Sequence, residues 1–236
     1  MREQPEQQAP PVQRLRVRYA KRGRLRFTSH RDFSRAFERA LVRARIPMAY
    51  SSGFNPHPRI SYAGASPTGA ASEAEYLEIG LAETVDPARL ADDLDRSLPD
   101  GLDVLEVVEA GPGSLADRLE VSRWEIDLPV PPATVTSAAE AFWACASVTV
   151  ERMTKKGLRA FDSRAAVLAL DVTTCDVGSR LTVVLRHTVP AVRPDDVLTG
   201  LRQVGRLEDA GAPLVRRLAQ GPYDEATGAI GDPLSG

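Results

Sequence analysis

An α+β fold built as two tandem units, each in the order β-α-β-β-α-β, is what this sequence predicts, and three observations predict it. Short runs that alternate apolar with polar residues recur between runs of helical periodicity. The whole order runs twice, with corresponding elements about 105–112 residues apart, a repeat of topology rather than of identity. The chain of 236 residues has room for two domains of about 100 residues each. That element order is the ferredoxin-like plan. The predicted divisions are a disordered tail over 1–13, a first domain over 14–110, a second over 111–220 and a mobile tail over 221–236.

In the first unit Leu15, Val17 and Tyr19 alternate with Arg16 and Arg18, which predicts a half-buried strand with arginines on its open face. Lys21-Arg22-Gly23-Arg24 reads as a basic turn, after which Leu25 and Phe27 resume the alternation. Ser29 precedes Asp32 by three, an approximate capping box, and Phe33, Ala36, Phe37, Ala40, Leu41 and Ala44 follow at helical spacing until Pro47 bars continuation. Met48 to Tyr50 and Arg59 to Ala63 are extended on either side of a loop, and Glu75, Leu77, Ile79 and Leu81 share one face of a strand. Asp86-Pro87 opens a second helix, and Leu102 to Val108 is the last strand.

Beyond Gly111-Pro112-Gly113 the order returns. Trp124, Ile126 and Leu128 mark a strand, and Thr134 caps a helix that holds Phe142 and Trp143. Ser147 to Glu151 leads to a basic turn at Lys155-Lys156-Gly157, and Asp162 to Val172 fits a short helix or a strand. Leu181, Val183 and Leu185 form a strand, Pro194 opens a helix to Val204, and Leu214 to Leu218 closes the unit.

Composition excludes several classes of function. No apolar run approaches the roughly 20 residues of a membrane span, and the N-terminus lacks the apolar core of a secretory signal. Cys145 and Cys175 give no disulfide framework and no iron–sulfur or four-ligand zinc motif, so a reducing cytoplasm is expected. With three histidines scattered at 30, 57 and 187, and no Walker A or GxGxxG, neither a metal nor a cofactor is expected.

The net charge of −2 conceals a segregation: Arg14 to Arg59 holds 13 Lys/Arg against Asp32 and Glu38, a local +11, so the remainder sums to −13. A basic face of this kind suits a polyanion. Arg31, Arg35, Arg39 and Arg43 recur every four residues, a stripe beside the apolar face of the first helix. Like charges at that spacing repel, and a polyanion relieves the repulsion. The loop Tyr50-Ser51-Ser52-Gly53-Phe54-Asn55-Pro56-His57-Pro58 is stiffened by its prolines and presents an aromatic, an amide and an imidazole beside Arg59. Two uses of this loop are open, as a binding surface or as a tight connection with Phe54 in the core. Candidate nucleic-acid contacts are Arg16, Arg18, Arg22, Arg24, Arg31, Arg35, Arg39, Arg43, Phe54, Asn55, His57 and Arg59. Arginines with interleaved aromatics suit RNA, by stacking and by tracking the backbone. His30 and His57, with Tyr19 or Lys21 assisting, are the candidates for any acid–base chemistry, while His187 shares a core face.

Three stretches, Leu25-Arg26-Phe27-Thr28-Ser29-His30-Arg31-Asp32, Gly53-Phe54-Asn55-Pro56-His57-Pro58 and Ser72-Glu73-Ala74-Glu75-Tyr76, resemble the radical SAM-linked (radical SAM-associated) protein family. That domain of unknown function occurs alone or fused behind a radical SAM enzyme. The likeness covers roughly Leu15 to Val215; Arg31 stands where the family pattern has an apolar residue, Ser52 where it has Gln. The resemblance implies a partner rather than a reaction: a radical SAM protein and, in some bacteria, an RNase E/G-type ribonuclease. Lacking cluster cysteines, the chain would deliver substrate. Tandem ferredoxin-like domains also look like CRISPR repeat-processing endoribonucleases, at the level of fold. Three functions are therefore expected to compete: an accessory protein that presents a structured RNA (tRNA or rRNA) to a radical SAM partner, a metal-independent endoribonuclease, and a protein-only scaffold for an acidic partner.

Overall fold

The computed structural model describes residues 7–154, 157–207 and 211–235. It is a mixed α+β structure whose contacts divide the chain into two units, Met1–Arg118 with Asp232–Gly236, and Leu119–Gly231.

The first unit contains β1 (Gln13–Lys21), a 3-10 turn (Gly23–Phe27), α1 (His30–Arg43), β2 (Ile60–Ala63), β3 (Ala71–Leu81), α2 (Pro87–Asp95) and β4 (Leu102–Glu109). Strand β1 lies between β4 and β3, antiparallel to both, and β2 pairs antiparallel with β3. One face of this sheet packs on the helices. Leu15, Val17, Leu77, Ile79 and Leu81 meet Phe33, Phe37 and Leu41 of α1 and Leu90 and Leu94 of α2 in a single buried cluster. The other face is where the reading of β1 fails. Arg16, expected on an open face, is fully buried: Nε pairs with Glu78 at 3.2 Å, and Nη2 donates to the carbonyls of Gly111 (3.0 Å) and Gly113 (2.7 Å). The segment after β4 folds back over the sheet and is held there by this arginine, with Leu115 buried beyond it. The units accordingly divide at Arg118/Leu119, whereas the glycine–proline cluster suggested 110/111.

The second unit contains β5 (Val121–Leu128), α3 (Pro132–Ala144), β6 (Thr149–Thr154), β7 (Gly157–Asp162), β8 (Val167–Cys175), β9 (Gly178–Arg186), α4 (Pro194–Gly205), β10 (Leu214–Gly221), β11 (Tyr223–Asp224) and β12 (Ala229–Ile230). Strand β5 lies between β10 and β9, and β8 pairs with β9, all antiparallel. The hairpin β6–β7 is an insertion, so the stretch Ser147 to Glu151 is not the second strand of the sheet; β8 is. A carboxylate latches the hairpin's base: Asp162 Oδ1 accepts the N–H groups of Val148 (3.0 Å) and Arg164 (2.9 Å). Lys155 and Lys156 of the expected basic turn lie outside the described residues, as do residues 1–6 of the expected N-terminal tail.

Both expected tails carry order where they are described. Gln13 already belongs to β1, and the Val12 N–H donates to the Leu81 carbonyl at 2.8 Å. At the other end β11 pairs with β12 around a turn in which Asp224 accepts from the Ala226 N–H (2.8 Å) and the Thr227 hydroxyl (2.7 Å). Leu234 is buried, and Arg118 donates to the Pro233 carbonyl at 3.1 Å.

Candidate nucleic-acid interface

The site is built from α1 outward. Ser29 caps the helix: its Oγ accepts the Asp32 N–H (3.2 Å) and donates to the Asp32 carboxylate (2.7 Å), so the cap read from the sequence forms, with the carboxylate taken by the hydroxyl rather than by the Ser29 backbone N–H of a full capping box. Helical spacing then places Phe33, Phe37, Ala40 and Leu41 in the core. Arg31, Arg35 and Arg39 stand exposed on the far side. Twelve residues separate Arg31 from Arg43, a stripe about 18 Å long at 1.5 Å per residue. Arg43 differs from the other three. Its Nη1 donates to the Ser97 carbonyl at 3.0 Å, which ties the end of α1 to the segment after α2.

The loop after α1 is clasped at its base. Tyr50 and Pro58 form a bridge, the Ser51 N–H donates to the His57 carbonyl (2.8 Å), and the His57 N–H donates to Ser51 Oγ (3.0 Å). Gly53 sits at φ 126°, a conformation that other residues rarely adopt. The clasp pushes the intervening side chains outward. Phe54 is 68 % exposed, so it does not fill the core, and Asn55, His57 and Arg59 are exposed beside it. Arg59 Nε donates to the Tyr50 carbonyl at 3.1 Å, which braces the same loop.

The remaining candidates separate into buried and exposed. Besides Arg16, Arg18 is half-buried and donates to the Glu73 carbonyl (3.1 Å). Arg22 is gripped between Glu73 and Asp103 (2.8 Å), and these bonds raise its pKa, so β1, β3 and β4 are cross-tied by it. Tyr19 lies in the core with its ring stacked on Phe33 at 4.5 Å, and Lys21 is also buried, with Nζ 3.5 Å from the Pro67 carbonyl. Arg24 is exposed. His30 is exposed and stands edge-on to Tyr62, 4.8 Å between ring centres. Burial raises the Tyr62 pKa, which keeps its phenol protonated. His187, expected on a core face, lies just past β9 at the surface, with Nδ1 2.6 Å from the Leu119 carbonyl.

The structure adds residues that the sequence reading passed over. Phe27 does not continue a strand; it ends the 3-10 turn, 59 % exposed, with the Arg26 guanidinium 4.6 Å above its ring. Tyr50 is also exposed. Within the first unit, the exposed aromatics among the described residues are thus Phe27, Tyr50 and Phe54, all inside the basic stretch. Among the described residues Arg24, Arg26, Arg31, Arg35, Arg39, Arg43, Arg45 and Arg59 take part in no ion pair. Elsewhere the arginines divide: Arg89, Arg96, Arg152 and Arg180 have carboxylate partners, whereas Arg118 and Arg164 donate to backbone carbonyls. No cluster of ligating side chains among the described residues could hold a metal ion, and no helix there is long and apolar enough to cross a membrane.

A family described as "Uncharacterized protein conserved in bacteria (DUF2344)" matches residues 14–194, most of the chain. The protein belongs to the DUF2344 family. Among curated proteins none matches this DUF2344 member. Among solved structures, the first two RRM domains of the yeast poly(U)-binding protein Pub1 align with it at 12 % identity and a TM-score of 0.21, over 88 % of this chain and 98 % of that one. A score that low does not establish a common fold.

Proposed function

We propose that this DUF2344 member is an RNA-binding accessory protein that presents a structured RNA, of the tRNA or rRNA kind, to a radical SAM enzyme in the cytoplasm. One observation carries the RNA part: within the stretch 14–59, Arg24, Arg26, Arg31, Arg35, Arg39 and Arg59 take part in no ion pair among the described residues, and the first unit's exposed aromatics lie in that stretch with them. Unpaired guanidiniums repel one another and gain from phosphate, while exposed rings gain from stacked bases. The contact set is Arg24, Arg26, Phe27, Arg31, Arg35, Arg39, Tyr50, Phe54, Asn55, His57 and Arg59. Arg16, Arg18 and Arg22 act in the framework.

In each unit the sheet order is fourth, first, third, second strand, which supports reading the chain as two tandem ferredoxin-like domains. RRM sheets bind RNA through aromatics on the open sheet face. Here that face of the first unit carries Arg16 under the Gly111–Gly113 segment, so RNA meets the helix-and-loop side instead. The radical SAM partner is supported by the motif likeness and by the absence of cluster cysteines from the sequence. An RNase E/G-type ribonuclease is a second partner of the same origin.

The test is crosslinking in cells followed by RNA sequencing, with the purified protein then incubated with the end-labelled RNA in EDTA. Enrichment of a discrete RNA that is recovered uncut is expected. A specific product that disappears with His30→Ala or His57→Ala would make the protein an endoribonuclease, and no enriched RNA would leave the scaffold for an acidic partner.

A further inference from the structure

Strand β8 is the outermost of its sheet: β9 pairs with it along one side, and among the described residues no strand pairs with the other. Edge strands in folded proteins are usually blunted by lysine, proline or a bulge. The β8 sequence Val-Leu-Ala-Leu-Asp-Val-Thr-Thr-Cys has neither residue, and its one irregularity falls between Val167 and Ala169, so Ala169–Cys175 is a regular free edge. Alternation along it puts Leu168, Leu170 and Val172 on one face, half-buried, and Asp171 on the other, exposed.

Helix α3 covers the apolar face of β8 incompletely. Between them runs a groove of about 430 Å³ lined by Ala139, Glu140, Trp143, Leu170 and Val172. Trp143 is 44 % exposed, and the Arg164 guanidinium lies 3.9 Å from its ring centre. No lysine or arginine lines the groove, and Glu140 and Asp171 have no ion-pair partner among the described residues. An added strand would turn its side chains alternately into the groove, beside Glu140, and to the opposite side, beside Asp171. Both sides are acidic and one is apolar.

We propose that β8 and the α3 groove dock an extended segment of a partner protein, which joins the sheet as an added strand and carries lysine or arginine alternating with apolar residues. Backbone pairing supplies the affinity, the groove takes the apolar side chains, and Asp171, on the side that the basic residues face, selects a basic sequence. Charge disfavours a second copy of this chain, because two β8 edges related by a two-fold axis would bring their Asp171 carboxylates towards each other. This surface belongs to the second unit and is independent of the RNA interface.

The probe is a short peptide alternating valine with lysine, compared with its valine–glutamate counterpart, on the full chain. Two readouts serve: hydrogen exchange of the Ala169–Cys175 amides, and tryptophan emission, in which Trp143 reports because Trp124 is buried. The lysine peptide should protect those amides and shift the emission saturably, with the glutamate peptide at least about tenfold weaker. Asp171→Lys should invert that preference, and the substitution is at an exposed position. No protection by the lysine peptide at about 1 mM, or equal protection by both peptides, would overturn the proposal. Protection that rises with protein concentration in the absence of peptide would overturn it too, by assigning the edge to a second copy.

Discussion

Replacing Arg31, Arg35 and Arg39 together by Gln perturbs the proposed interface with the least disturbance to the fold. All three are exposed and engage no carboxylate, and Gln keeps much of the side-chain length and a similar helix propensity. Arg43 is left in place because its bond to the Ser97 carbonyl makes it a structural residue. If each guanidinium neutralises one phosphate of a single strand, each contributes about 0.7 to the slope of log K against log salt. The variant's slope should then be shallower by about 2, and at 0.1 M salt its affinity lower by about 100-fold, close to 3 kcal/mol. Near 1 M salt the two proteins should converge. Anisotropy of a labelled RNA recovered from cells, titrated at salt concentrations from about 50 mM to about 300 mM, measures both quantities. Circular dichroism checks that α1 is intact, and relief of the repulsion along the stripe should leave stability level or raise it by a few tenths of a kcal/mol. Arg89→Gln with Arg96→Gln is the control, since both guanidiniums lie on or beside α2 and pair with Asp93. Equal slopes for wild type and the triple variant would refute the assignment of α1 to RNA.

Phe37→Ala removes a fully buried ring at the α1–sheet junction and should cost about 3–5 kcal/mol in a urea denaturation curve. Arg16→Ala leaves Glu78 and two carbonyls without their shared donor and should cost about 3 kcal/mol, loosening the 111–118 segment first, as local proteolysis would show. Asp127, held by Arg180 at 2.6 Å, has its pKa lowered by that hydrogen bond. A lowered folded-state pKa adds stability above the ordinary Asp value of about 3.9, lost as pH falls through the folded value. Asp127→Asn should therefore reduce Tm at neutral pH and flatten its decline in acid.

What the sequence made legible was local. The cap at Ser29, the spacing of Phe33, Phe37 and Leu41, and the stop before Pro47 depend on residues within a few turns of one another, and α1 forms where they place it. Arg16 was illegible for the opposite reason. Its burial depends on carbonyls 95 and 97 positions away, and an alternating run looks the same whether or not a distant segment covers it. Lys21 was hidden for the same reason, through the Pro67 carbonyl 46 positions away, whereas Tyr19 follows Leu15 and Val17 onto the face that Phe33 covers. Phe27 failed on period: over five residues a 3-10 turn and a strand both separate Leu25 from Phe27 by two, and Gly23 was the available hint of a turn. The β6–β7 insertion hid because its closing latch, Asp162, begins the stretch that fits a helix or a strand.

The distribution of the candidate acid–base groups favours holding RNA over cutting it. General acid–base catalysis needs groups within hydrogen-bond reach of one reacting atom. Tyr19 and Lys21, the proposed assistants, are buried, so neither can meet a phosphodiester without unfolding the core around it. His30 keeps company with Tyr62, whose phenol burial leaves protonated, and His57 with Pro58. Tyr62 and Pro58 lie four residues apart on an extended segment, about 13 Å at the rise of a strand. The two imidazoles are thus anchored at separate points rather than joined as a pair. With Arg31 beside the first and Arg59 beside the second, they would touch successive parts of a bound strand, as the proposed presentation of RNA to chemistry supplied by another protein requires.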